Sequence, residues 1–210
     1  MKTMKKTTKT AKIKTINKHI SLVLAVIMLL AVFAPLVSSF ADSADIVIKN
    51  EKDYLNLVKK CKTDTWSKGK TVTLANDIDL SKTDFSPIPT FGGHFDGKGY
   101  TISGIKINKK GSATGLFRYI QSGATVENLN VSGTVTPDGT QKNIGGIVGS
   151  LSGTLKNCTF SGNIKAKTNV GGIAGYVTET GVIDSCTFLC YYKYCSGYGS
   201  IAQLDRAHAF

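Results

Sequence analysis

Histidine is almost missing from this chain. Of three in 210 residues, His19 and His208 stand near the ends and only His94 falls in the middle. Zinc hydrolysis of the H-E-x-x-H type needs two histidines one helical turn apart, so that chemistry is excluded. His94 follows Gly93 and reads as a turn residue, because a general base needs a positioned partner and none stands beside it in the sequence. Long runs with helical periodicity are scarce, and Gly, Asn, Thr and β-branched residues dominate the second half, a composition that disfavours helices. Acidic residues are few, 14 against 26 Lys and Arg, and none precedes Asp42.

That last gap shows where the charge lies. Lys2, Lys5, Lys6, Lys9, Lys12, Lys14 and Lys18 crowd the N-terminus ahead of the apolar run "SLVLAVIMLLAVFAPLV", and the small residues Ser39 and Ala41 follow. A basic stretch, an apolar stretch and small residues at a cleavage point make a secretory signal, residues 1–41, with the mature chain starting at Asp42. An uncleaved anchor is the alternative, since a 17-residue run lies at the short limit of a bilayer span. Removing residues 1–41 lowers the net charge from +12 to +5, which takes away the case for a nucleic-acid partner.

Residues 42–69 read as an N-terminal cap. In "NEKDYLNLVKKC" Asn50 caps, Asp53 sits three residues on, and Tyr54, Leu57, Val58 and Cys61 recur at helical spacing, which predicts a helix over about 50–61. From residue 70 the pattern changes. "KTVTLANDIDL" places Val72, Leu74, Ile78 and Leu80 at even positions, and Gly and Asn punctuate the short alternating runs, so strands and turns are expected. "IGGIVGSLSGTLKNCTFSGNI", Ile144–Ile164, then returns 26 residues later as "VGGIAGYVTETGVIDSCTF", Val170–Phe188. An earlier copy aligns with these, pairing Val126 with Leu155, Asn128 with Asn157, Leu129 with Cys158, Val131 with Phe160 and Gly133 with Gly162. Ile183, Ser185, Cys186 and Phe188 continue the series, and "TGLF" at Thr114–Phe117 matches "GGIV" and "GGIA". The copies lie at about 113–136, 144–165 and 170–188.

Each copy is too short to bury its own apolar face and must stack on its neighbours. At roughly 3.3 Å per extended residue, one copy holds two or three short strands separated by turns. The expected fold is all-β: a right-handed parallel β-helix (β-solenoid) of a few coils over residues 70–188, with a short N-terminal capping helix. Asn128, Asn157 and Ser185 would then stand one above another at a turn, bonding from coil to coil.

These residues carry a family resemblance. "IGGIVGS" and "VGGIAGY", each followed by "NCTFSG" or "SCTF", resemble the GLUG-motif repeats of large bacterial surface proteins. "LANDIDL" and "FGGHFDGKGYTISGIKI" resemble the coils that precede such repeats, and also the pectate-lyase-like β-helix superfamily. The resemblance spans Val72 to Phe188 and implies a secreted or cell-surface place in adhesin-like proteins. Such repeats also accompany a separate catalytic domain in immunoglobulin A peptidases. A fold does not bring a function with it, so chemistry has to be sought residue by residue.

The carboxylates offer little. Glu127, Asp138, Glu179 and Asp184 share no repeat position, so no Ca²⁺-binding cluster recurs and no pair is set across a cleft. Asp77 and Asp79 fall on the same side of a strand and Asp96 opens an Asp-Gly turn; strand-end solvation and turn chemistry account for all three. "GKGYTISG" lacks the ending of a phosphate-binding loop. Cys158 and Cys186 occupy equivalent rungs about 4.8 Å apart, and Leu129 at the same place favours buried thiols over a disulfide. Cys61, Cys190 and Cys195 have no metal-ligand spacing. Tyr100, Tyr119 and Tyr176 are not expected to form one repeat column, which speaks against a stacked glycan platform.

No catalytic, cofactor-binding or metal-binding residue is therefore nominated, and no cofactor is expected. The reading is a secreted or cell-surface, non-catalytic, adhesin-like repeat module. Host or cell-wall glycans and surface proteins are its candidate partners, and nucleic acid is not one. The alternative is a β-helix carbohydrate-active enzyme, polysaccharide lyase or glycosidase-like, or its remnant.

Residues 189–210 break the repeat. "IAQLDRA" back-translates to a sequence resembling the D-arm of a transfer RNA gene, so the reading frame is expected to leave the repeat near Leu189 and the protein to be a truncated fragment. An uncapped last coil would expose a sheet edge that invites self-association. Sequencing the locus through the codons for Thr187–Phe210 is expected to show transfer RNA sequence there and repeat codons resuming beyond it; an unrelated open reading frame would sink this reading.

Overall fold

Parallel strands stacked coil on coil make up most of the structure, a computed structural model that describes residues 45–108, 112–137, 142–166 and 169–190. The signal segment 1–41, Cys195 and nearly all of the 189–210 tail lie outside the described residues. An opening strand β1 (Ile46–Ile48) and helix α1 (Glu51–Lys60) lead into the first coil, β2 (Thr71–Leu74), β3 (Ile78–Asp79) and β4 (Ile88–Phe91). The second coil is β5 (His94–Asp96), β6 (Thr101–Ile107) and β7 (Phe117–Ile120). The third is β8 (Thr125–Glu127), β9 (Asn130–Val135), β10 (Ile144–Gly145) and β11 (Val148–Leu151). The fourth is β12 (Thr154–Lys156), β13 (Thr159–Ile164), β14 (Val170–Gly171) and β15 (Ala174–Val177), and β16 (Val182–Asp184) and β17 (Thr187–Leu189) open the fifth.

Every strand pair is parallel, and corresponding strands of successive coils form sheets. A six-stranded sheet runs β1-β2-β5-β8-β12-β16, a five-stranded one β3-β6-β9-β13-β17, a four-stranded one β4-β7-β11-β15, and β10 pairs with β14. The described residues thus form a β-solenoid of about five turns with one short helix. The register follows the repeat alignment: Leu155 lies between Val126 and Ile183, Phe160 between Val131 and Phe188, and Gly162 beside Gly133. The coils differ in length. Asn143 and Asn169 are 26 residues apart while the stacked pair Asn128 and Asn157 are 29 apart. The difference falls at the corner, which is longer from β9 to β10 than from β13 to β14.

Helix α1 forms where its signals stand. The Asn50 side chain accepts the Asp53 N–H at 3.1 Å, the Asp53 carboxylate accepts the Lys49 N–H at 3.0 Å, and Glu51 and Asp53 against Lys59 and Lys60 complement the helix dipole. Tyr54, Leu57 and Val58 are buried, and the Tyr54 hydroxyl donates to the Ser86 carbonyl at 2.8 Å. The helix packs on β1 and β4, the first strands of their sheets, and so covers the N-terminal end of the apolar interior.

That interior is built from columns of inward residues. Phe91, Phe95 and Phe117 meet at ring separations of 5.6 to 6.0 Å, and Phe160 stacks on Phe188 at 6.0 Å. The Gly-Gly of the repeated phrase makes room for the second stack. A β-carbon on Gly146 would run into the Phe160 ring and one on Gly172 into the Phe188 ring. Gly146→Ala should therefore destabilise the fold by about 1–3 kcal/mol, the usual range for overpacking. Gly146→Ala should cost less in a Phe160→Ala background, which lacks the ring atoms that the new β-carbon meets, when both are followed by urea unfolding; independent effects of the two changes would contradict the coupling.

Candidate functional site

The outer faces of the solenoid are what the fold offers to a partner. On the six-stranded sheet, Phe95 and Val126 point into the core; the alternate residues His94, Thr125 and Glu127 lie on the outer side, and Asp96 lies there too but is itself buried. His94 Nε2 and Glu127 Oε1 lie 2.8 Å apart, bridging two coils. The Lys98 ammonium is 2.7 Å from Asp96 Oδ2, and Asp96 Oδ1 accepts the Lys98 N–H at 2.9 Å and the Asn128 amide at 3.1 Å. Asn157 then donates to Asn128 Oδ1 at 2.8 Å. The expected ladder thus exists, rooted on Asp96 and running to Asn157. It stops at Ser185, whose hydroxyl turns to the Asp184 carboxylate at 2.9 Å.

Asn128, Asn157 and Ser185 share left-handed backbones, with φ of 52°, 50° and 52°. Asn adopts this conformation with least strain among residues that carry a β-carbon, which explains its choice at the rung. Sequence reasoning missed a second rung of the same kind. Asn169 donates to Asn143 Oδ1 at 2.9 Å, both with positive φ, at the corner before β10 and β14. The signal was an Asn immediately before each of "IGGI" and "VGGI".

The other carboxylates do not converge. Asp77 precedes β3, and accepts the Thr101 N–H of the next coil at 2.8 Å. Asp79 closes its own turn, accepting the Ser81 N–H at 2.8 Å and hydroxyl at 3.0 Å, and those two bonds hold its pKa below the ordinary value. His94, expected to stand alone at a turn, instead lies in β5 with Glu127 as its partner. That partner is 33 residues away and becomes a neighbour only through the register. Among the described residues no group of three or more His, Cys, Asp or Glu side chains is placed to hold a metal ion.

Cys61, Cys158 and Cys186 are free thiols and buried. The Cys158 thiol donates to the Lys156 carbonyl at 3.2 Å and the Cys186 thiol to the Asp184 carbonyl at 3.3 Å, and the neighbouring Cys186 together with burial holds the Cys158 thiol well above its ordinary range. Burial likewise pushes Cys61 up to about 12.

On the four-stranded sheet the register sets Thr90 beside Tyr119, Tyr119 beside Ser150 and Ser150 beside Tyr176. Tyr119 and Tyr176 therefore share one column, while Tyr100 belongs to the turn before β6, so the three tyrosines do not form one column but two of them do. The rung between the two carries Ser150, which hides their column in a one-in-two pattern. Tyr119 is 41% and Tyr176 49% exposed.

The family model described as the GLUG motif matches residues 140–165, the third-to-fourth-coil copy of the repeated phrase. Halomucin from Haloquadratum walsbyi (strain DSM 16790 / HBSQ001) is 30% identical over 148 residues, covering 63% of this chain and 2% of halomucin. The chain thus spans a small fraction of that relative's length. No solved structure matches.

Asp96 makes a testable contribution to stability. Burial raises its pKa, but the Lys98 ammonium and N–H and the Asn128 amide together pull it lower, so the net value is below the ordinary one. Its stabilisation is full above the ordinary carboxyl pKa of about 4 and is lost as pH falls through the lower folded value. Asp96→Asn should lower stability at neutral pH and flatten the acid limb of the urea-midpoint profile; superimposable profiles would show that Asp96 carries no such role.

Proposed function

We propose that this chain, a GLUG-repeat β-helix protein, is an exported, non-catalytic repeat module displayed at the cell surface. The observation that carries the reading is how the outward polar groups are used. Asp77, Asp96, Asn128, Asn143, Asn157 and Asn169 all bond from one coil to another, and Asp79 closes a turn, so they hold the stack together. A module of this kind presents long, regular faces as a binding platform or spacer, as in an adhesin. Export rests on the basic and apolar order of residues 1–41, with the cap at 42–69, the solenoid at 70–188 and the tail at 189–210. The similarity to halomucin supports the surface location.

A second reading, a carbohydrate-active β-helix enzyme, is favoured by one observation: the His94–Glu127 pair beside Asp96 and Lys98 brings acid and base groups to one outer face. Two measurements separate the readings. N-terminal sequencing and protease accessibility on intact producing cells should find a chain beginning at Asp42 and cleavable from outside; a cytoplasmic, uncleaved chain would refute export. The purified chain should leave acidic and neutral polysaccharides intact, whereas turnover abolished by His94→Ala or Asp96→Asn would replace the module with the enzyme.

A further inference from the structure

The tyrosine column on the four-stranded sheet has a spacing that a ligand can read. Rungs of a parallel sheet lie about 4.8 Å apart, so Tyr119 and Tyr176, two rungs apart, are separated by about 10 Å along the solenoid axis. An extended β-1,4-linked glycan advances one disaccharide over that length. It also turns alternate sugars over, so every second ring offers the same C–H face. Tyr119 and Tyr176 match that repeat, and Ser150 between them places a hydroxyl under the intervening sugar. The surface is flat and amphipathic, aromatic rings alternating with small hydroxyl residues from Thr90 to Tyr176. Such alternation offers a polyhydroxylated chain a ring to stack on and a hydroxyl to bond to in turn.

The charge beside the column narrows the ligand. The Arg118 guanidinium lies 5.7 Å from the Tyr119 ring centroid. It donates to the carbonyls of Ala113 at 3.3 Å and Ser112 at 3.0 Å, which fixes its position while leaving donors over. The ion pairs among the described residues are His94–Glu127 and Lys98–Asp96, so no carboxylate there neutralises Arg118. A held guanidinium with spare donors is complementary to a sugar carboxylate, which it can grip with two parallel hydrogen bonds.

We propose that the Thr90–Tyr119–Ser150–Tyr176 face, with Arg118 at its side, binds an extended β-1,4-linked glycan that carries carboxylates, laid along the solenoid axis. This deepens the surface reading and rests on it for where the ligand is met. The test is calorimetric binding of the purified full chain to oligomannuronate and to a cello-oligosaccharide of equal length, which shares the linkage and lacks the carboxylates. Oligomannuronate should bind more tightly. Tyr119→Ala and Tyr176→Ala, both exposed positions, should each weaken it by about tenfold, while Tyr100→Ala, outside the column, should change nothing. Arg118→Gln should erase the preference over the neutral oligosaccharide. Absence of binding to either glycan, or equal affinity in both column variants and the parent, would overturn the proposal. A chain that binds in this pattern yet is found in the cytoplasm would refute the surface reading alone. A chain displayed on the surface that binds neither glycan would refute this inference alone.

Discussion

In-register parallel stacking is the constraint on which the rest of the structure depends. A coil closes few backbone hydrogen bonds on its own; its strands bond to the coil before and the coil after. Each rung therefore takes its backbone partners from its neighbours, and a buried rung without a neighbour would carry orphaned amides and carbonyls. Register also places each side chain beside its equivalent one coil away. Apolar residues then build continuous columns, and an amide at a turn meets another amide. The Asp96, Asn128 and Asn157 series is the polar form of this rule, with each left-handed turn fixed by a bond to the next.

The same constraint links distant parts of the repeated phrase. Gly146, in the bend after β10, and Phe160, in β13, belong to one copy and meet across the interior, as Gly172 and Phe188 do one coil later. Neither residue type explains itself locally, since a Gly-Gly pair weakens a strand and an aromatic residue in a short coil risks overfilling it. Together they fit, which is why the phrase recurs as a unit. Length varies mostly at the corners, where the chain leaves the sheets and extra residues do not disturb the register, and once inside a strand, where β6 bulges by one residue against β9 between Ile102 and Ile105.

Much of this was legible in the sequence because repetition reports register directly. Aligning the copies paired Val126, Leu155 and Ile183 as the structure does, and the Asn50 cap with Tyr54, Leu57 and Val58 located α1. What escaped were contacts that depend on coils of unequal length. His94 precedes the recognisable copies and its turn is longer, with residues 97–100 between β5 and β6 against two residues between β8 and β9, so its meeting with Glu127 had no template. The Tyr119 and Tyr176 column was within reach. The match of "TGLF" to "GGIV" and "GGIA", carried two residues further, gives it, but the intervening Ser150 breaks the aromatic pattern that the eye follows.

The outer faces differ in what they are free to do. On the six-stranded sheet the charged groups hold one coil to the next, His94 to Glu127 and Asp96 to Asn128, so a ligand there would compete with bonds that fix the register. On the four-stranded sheet the register is already set by the inward residues Phe117, Ile120, Val148 and Leu151, all buried, and the outward residues carry none of that load. Substitution at Tyr119, Ser150 or Tyr176 leaves core and ladder untouched. A stacked repeat can therefore alter recognition on one face while keeping its fold, because the residues that bind and the residues that stack occupy different columns.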